Sequence, residues 1–246
     1  VEPPLATVRV DMDQEEVGRL IARYNVPSVP VIDPDGVLLG RITWDDVIDV
    51  IEAEQTEDIL RLGGIVADEE IRGGWFGAVR SRLPWLFVNL FTAALAASIV
   101  YFFQAAIESA VILAAIMPVI AGMGGNAGTQ VLAVTVRRLA LTDESTARRW
   151  GVVGKELLVG LFNGAALGLF VGLVSYVWLG EATLGLVVML AMWGNLIVAS
   201  MAGAFIPILL ERLGADPAVA SSIFVTTFTD VGGFFLLLGL ATWLLL

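Results

Sequence analysis

From residue 83 to its end the chain is apolar sequence divided into five stretches, at about 84–107, 110–136, 152–179, 184–210 and 218–246. One bilayer crossing needs about 20 mainly apolar residues in a helix. Hydrocarbon offers the backbone no water to bond, so each crossing segment must satisfy its own amides and carbonyls. These lengths predict an α-helical membrane protein with five transmembrane helices, and a composition that is 57% hydrophobic fits no ordinary soluble domain.

The basic residues give the direction. Arg80 and Arg82 precede the first stretch; Arg137, Arg138, Arg148, Arg149 and Lys155 lie between the second and third; Arg212 follows the fourth. The other two connections carry Glu108 and Glu181 and no Lys or Arg. The positive-inside rule then places the N-terminus in the cytoplasm and the C-terminus outside.

Charge is concentrated ahead of the spans. Residues 1–82 hold 17 acidic and 8 basic side chains, and residues 83–246 hold 8 and 6. The opening sequence "VEPPLATVRVDMDQEEVGRL" lacks a basic segment followed by an apolar one, so the acidic head is expected to stay in the cytoplasm. The chain has neither cysteine nor histidine. Disulfides are excluded, thiolate and imidazole sites for zinc or copper are not available, and any metal must accept oxygen ligands.

Within the head, "ATVRV", "DQEEVGRLIARYN", "SVPVID", "VLLGRIT" and "WDDVIDVI" read as strand, helix, strand, strand, helix, with a turn at "PDG". The last helix continues through "WDDVIDVIEAEQTEDILRL" and carries Asp45, Asp46, Asp49, Glu52, Glu54, Glu57 and Asp58 beside an apolar face. One reading is a solvated acidic face. The other starts from the mutual repulsion of like charges at helical spacing, which divalent cations would relieve.

Three features mark the membrane half. In the second span Pro118 and "GMGGNAG" are expected to weaken or open the helix, exposing backbone to a cavity, although Gly124 and Gly128 also suit close packing. In the third, Gly160, Gly164, Gly168 and Gly172 form a packing stripe; Asn89, Asn163 and Asn195 read as interhelical hydrogen-bonding groups. In the fifth, Asp230 lies mid-span, where a charge costs roughly 2.5–3.5 kcal/mol on the insertion scale. Ser222, Thr226 and Asp230 are four residues apart and share one helix face. Such a stripe is tolerated where it faces a wet pore and attracts a cation.

The run "VPVIDPDGVLLGRITWDDVIDVI", with Gly40, Ile42, Thr43 and Asp46, resembles a CBS motif. Together with "PVIAGMGGNAGTQ" and "DPAVASSIFVTTFTDVGGF" it gives a chain that resembles the MgtE family of magnesium channels or transporters over nearly all its length. Relative to the family pattern it has Thr129-Gln130 for Asn-Gln, and Ser222 where relatives can have Asn; both keep oxygen donors. The resemblance implies a CBS motif over 1–47, an acidic connecting helix and linker over 48–82, and a pore domain over 83–246 that works as a homodimer. It implies Asp230 as the pore ligand for Mg2+, with Thr226, Ser222, Asn126, Gly125 and Thr129 lining the path. The repulsion on the acidic helix points to regulatory Mg2+ at Asp45, Asp49, Glu52, Glu57 and Asp58, and the CBS resemblance implies ATP held by Thr43 and Asp46. The partners expected are lipid, divalent cations and a second copy, not nucleic acid, in the plasma membrane.

Other classes fit less well. An aspartyl protease needs two carboxylates sharing a proton, and near mid-membrane the spans supply Asp230 alone. A nucleotide sensor that used the spans as an anchor would not need that aspartate. A secondary transporter using Asp230 as a proton or sodium relay is the remaining alternative.

Overall fold

The computed structural model describes residues 5–65, 74–141, 146–218 and 221–245. It divides into two compact units, Val1–Leu60 and Arg61–Leu246.

The first unit contains β1 (Val8–Arg9), α1 (Gln14–Tyr24), β2 (Ser28–Ile32), β3 (Leu38–Thr43) and most of α2 (Trp44–Leu62), the order its periodicity predicts. β2 is central, parallel to β1 and antiparallel to β3, with Val29 opposite Ile42. The β2–β3 turn is held by Asp33, whose carboxylate accepts from the N–H groups of Asp35 and Val37 at 3.0 and 2.7 Å. Gly36 in that turn has φ +78°, a conformation in which a side chain is strained. Asp13 caps α1 by accepting from Glu15 N–H at 2.8 Å, and Asn25 ends it in the left-handed region. Val8, Val17, Ile21, Val29 and Val47 make the core. α2 thus buries Val47 and leaves Asp45, Asp49 and Glu52 exposed.

The second unit contains α3 (Trp75–Phe102), α4 (Gln104–Ser109), α5 (Ile112–Leu141), α6 (Thr146–Leu179), α7 (Ala182–Arg212) and α8 (Ser221–Leu245). All but the short α4 are long and apolar enough to cross a membrane. The first span differs from expectation. It runs Trp75–Phe102 rather than 84–107, because Phe103, at φ −102° and ψ 23°, leaves helical geometry and α4 starts as a separate piece. Apolar composition locates the lipid-crossing part of a helix but does not locate its ends.

α7 is the central helix. Half (50%) of its apolar window is buried, against 6% for α3. The predicted glycine stripe of α6 is a packing face against it. A Cβ on Gly160 would lie 2.6 Å from Ser200 Oγ, on Gly164 2.7 Å from Trp193, and on Gly168 2.7 Å from the Met189 carbonyl oxygen. Trp193 Nε1 donates back to the Leu161 carbonyl at 3.1 Å. At one end of this pair Arg212 stacks over Trp150, 5.0 Å from the ring centre.

The expected opening of the second span does not occur: α5 is one helix from Ile112 to Leu141, through Pro118 and the glycines. Those glycines serve packing instead. A Cβ on Gly128 would lie 2.5 Å from Val225, and one on Gly124 would overlap the Asn195 side chain. Missing side chains here allow α7 and α8 to approach, so the backbone keeps its helical hydrogen bonds.

These contacts predict a contrast within α6. Gly168→Leu forces a side chain into the α7 backbone and should lower stability by about 1–3 kcal/mol, the usual range for overpacking. Gly154→Leu enters open space and should change little. Thermal unfolding in detergent reads the difference; equal melting temperatures would show that the helices separate freely.

Candidate functional site

The second unit positions its polar residues through Asn195 on α7. It is fully buried and its Nδ2 donates to the Ile120 carbonyl of α5 at 2.8 Å. Its Oδ1 has no partner among the described residues. A Cβ on Gly233 of α8 would lie 2.8 Å from the same Nδ2. One amide therefore sits between α5 and α8, and an interhelical role for Asn195 is what its sequence position suggests. Asn89 and Asn163 are exposed.

α8 carries Ser222, Thr226 and Asp230 on one continuous helix. Ser222 and Asp230 are half-buried and Thr226 is exposed. Thr226 Oγ1 donates to the Ser222 carbonyl at 2.9 Å, which commits its proton and leaves the oxygen lone pairs free to accept. Thr129 on α5 does the same, donating to the Gly125 carbonyl at 2.8 Å. Asn126 and Thr129 are exposed, and a Cβ on Gly125 would meet nothing within 4 Å. These three residues thus lie away from the packed side of α5 that Gly124 and Gly128 occupy.

Asp230 borders a cavity of about 690 Å³ between α3, α4 and α8, open to the outside over much of its extent. Phe234 from α8 lines it further along the stripe, and α3 and α4 supply the opposite walls. Gly125, Asn126 and Thr129 do not line it, so a single chain does not bring the α5 residues and Asp230 into one cavity. Two carboxylates escaped the sequence reading. Glu108 lines the Asp230 cavity. Glu156 near the start of the third span has a side chain only 7% exposed, beside the exposed Lys155 at 3.2 Å. Only the even spacing of Gln104 and Glu108 signalled the first; nothing in the sequence signalled the second.

In the first unit Thr43 and Asp46 are bonded to each other at the start of α2. Asp46 Oδ2 accepts from Thr43 Oγ1 at 2.7 Å and from Thr43 N–H at 3.0 Å. These bonds, the hydroxyl's first, hold the Asp46 carboxyl below its ordinary value near 3.8. Among the described residues no three acidic side chains are grouped to hold a metal ion. Asp45, Asp49 and Glu52 are exposed on α2, and Glu57 and Asp58 are half-buried.

The sequence places this arrangement among known proteins. A profile described as a divalent cation transporter, that of MgtE, matches residues 117–240, which include Asn126, Asn195 and Asp230. The chain belongs to the MgtE family. A CBS domain profile matches residues 1–53. Three relatives are each named magnesium transporter MgtE. That of Enterococcus faecalis is 43% identical over 92% of this chain and 49% of its own length. That of Bacillus subtilis is 38% identical over 94% and 51%. That of Thermus thermophilus is 39% identical over 100% and 55%. The chain thus spans about half the length of the curated MgtE relatives it matches.

The Asp46 bonds predict a pH dependence. A carboxyl lowered on folding contributes stability above its unfolded value, and that stability is lost as pH falls through the lower folded value. Asp46→Asn should therefore weaken hydrogen-exchange protection in the first turn of α2 at pH 7. The deficit should narrow below about pH 4, with wild type and variant compared at each pH. A deficit that is constant from pH 7 to 3 would show that the charge is not involved.

Proposed function

We propose that this chain carries the conduction pathway of a magnesium channel, working as a homodimer in the plasma membrane with the N-terminal unit in the cytoplasm. The observation that supports it most is Asp230, half-buried on a hydroxyl-bearing stripe of α8 and bordering a cavity. A carboxylate at bilayer depth needs water, a partner or an ion. Magnesium releases its water reluctantly and prefers octahedral oxygen surroundings with few direct protein ligands. Asp230 with the committed hydroxyl of Thr226 offers acceptors of that kind.

The exposed polar residues support the dimer reading. Asn126, Thr129 and Gln130 on α5 and Thr226 on α8 lie on surfaces that a lone chain would turn to lipid. A second copy related by a two-fold axis would cover them and bring two Asp230 carboxylates and the α5 residues to one path. Charged rings of this kind select cations.

Replacing Asp230 by Asn should lower magnesium flux into proteoliposomes more than tenfold while the dimer stays folded; wild-type flux in the variant would end this reading. The same assay separates mechanisms. Flux that follows the magnesium gradient alone supports a channel, whereas a requirement for a proton or sodium gradient makes Asp230 a relay in a coupled transporter.

Control by cytoplasmic magnesium rests on α2. Its exposed acids repel one another, and ions bridging them to other cytoplasmic acids would hold the helix in one position and favour a closed pore. An ion shifts such an equilibrium only by its difference in affinity between the two states, so several weak sites suit the role. ATP at Thr43 and Asp46 would engage the Asp46 oxygen that Thr43 leaves free. Changing Asp49, Glu52 and Glu57 together to Asn or Gln should raise the magnesium concentration that halves open probability in patch clamp several-fold. Equal inhibition in both proteins would place the sensor elsewhere.

A further inference from the structure

The cavity beside Asp230 has a second polar end. Gln104 and Glu108 are four residues apart on α4, so they share a face of that short helix, and both line the cavity with Tyr101 from the end of α3. All three side chains are exposed, and neither Gln104 nor Glu108 is tied to another side chain among the described residues. The α3 wall is mostly alanine, Ala93, Ala96 and Ala97 with Val100, and the small side chains leave the space open. A volume of about 690 Å³ is ample for a hydrated ion. Six waters in an octahedral shell occupy about 180 Å³ at their liquid share of roughly 30 Å³ each.

Position and charge agree with this. α4 lies between the first and second spans, on the side whose connections carry Glu108 and Glu181 and no basic residue. That is the outer side by the positive-inside rule. We infer that Glu108, Gln104 and Tyr101 form an outer antechamber that holds a fully hydrated divalent cation and delivers it to Asp230. The ligands act through the ion's water. The Glu108 carboxylate, the Gln104 amide oxygen and the Tyr101 hydroxyl oxygen accept hydrogen bonds from it, and the negative charge raises the local cation concentration. This deepens the reading of Asp230 as the pore ligand and rests on it.

The site predicts an effect on capture rather than on conduction. In proteoliposomes at low ionic strength, Glu108→Gln should raise the half-saturating external magnesium concentration about three- to tenfold at unchanged maximal flux. High monovalent salt should shrink the difference, because it screens an exposed charge. The chain contains no cysteine, so Glu108→Cys introduces a single thiol. A membrane-impermeant thiosulfonate reagent that adds a sulfonate there should restore the wild-type half-saturation, while one that adds a trimethylammonium group should not. External magnesium should slow both reactions. A merely structural role for Glu108 would not follow the sign of the added charge. An unchanged half-saturation in Glu108→Gln, or labelling from the cytoplasmic side alone, overturns the antechamber while leaving the pore reading intact so long as Asp230→Asn remains silent. Flux retained in Asp230→Asn overturns the pore reading and the antechamber with it.

Discussion

Lipid tails are as apolar as leucine side chains, so hydrocarbon does not drive helices together as water does, and association depends on close packing and interhelical hydrogen bonds. In this chain the dependence falls on the approach of α6 to α7. Four glycines at helical spacing let the α6 backbone lie against Met189, Trp193 and Ser200 of α7. With that side of α7 closed, its other faces take α5 and α8, and Asn195 is buried where all three meet. Large side chains at Gly124, Gly128 or Gly233 would separate the helices and withdraw Asn195 from Ile120. The orientation of α8, and so the setting of Asp230, follows from this contact.

Much of this was legible because lipid imposes strict requirements. Span number follows from length and apolarity, and the α6 stripe from spacing alone. The hairpin of the first unit was legible from Asp33, Asp35 and Gly36, whose turn chemistry is local. The glycines of the second span were harder to read, since the same residues that loosen an isolated helix permit the tightest approach of two. Gly124 and Gly128 resolve toward packing because Asn195 and Val225 occupy the space beside them, and no local pattern carries that information. The cavity was invisible for a related reason. It arises where the chain leaves helical geometry at Phe103 and α4 is set beside α8, which brings Glu108 to the cavity of a residue more than a hundred positions away.

Thr43 and Asp46 show how one pair of residues supports two readings. As a local structure they start α2: a carboxylate in the first turn accepts from a hydroxyl and an N–H that would otherwise lack an intrahelical partner. As ligands they would use the remaining lone pairs. The two uses are compatible, because the cap occupies Oδ2 and leaves Oδ1 free. Capping also fixes the direction of the carboxylate, so a ligand would meet an ordered acceptor rather than a mobile one.

The same logic separates the acids of α2 from Asp230. On α2, Asp45, Asp49 and Glu52 are exposed, and water screens them from one another and from any ion. In the proposed control each would contribute little to binding a dication, and only a change in helix position that brought several to one ion would give a useful difference in affinity. Asp230 is half-buried among apolar helices, where screening is weaker and one carboxylate attracts a cation far more strongly. For the proposed conduction that attraction would have to be limited, since an ion bound too tightly does not leave. Keeping the ion's water shell between metal and carboxylate is one way to limit it. On the proposed reading, an open cavity beside Asp230 that is large enough for the hydrated ion, and lined on α3 mostly by alanines, would suit that solution better than a tight coordination cage.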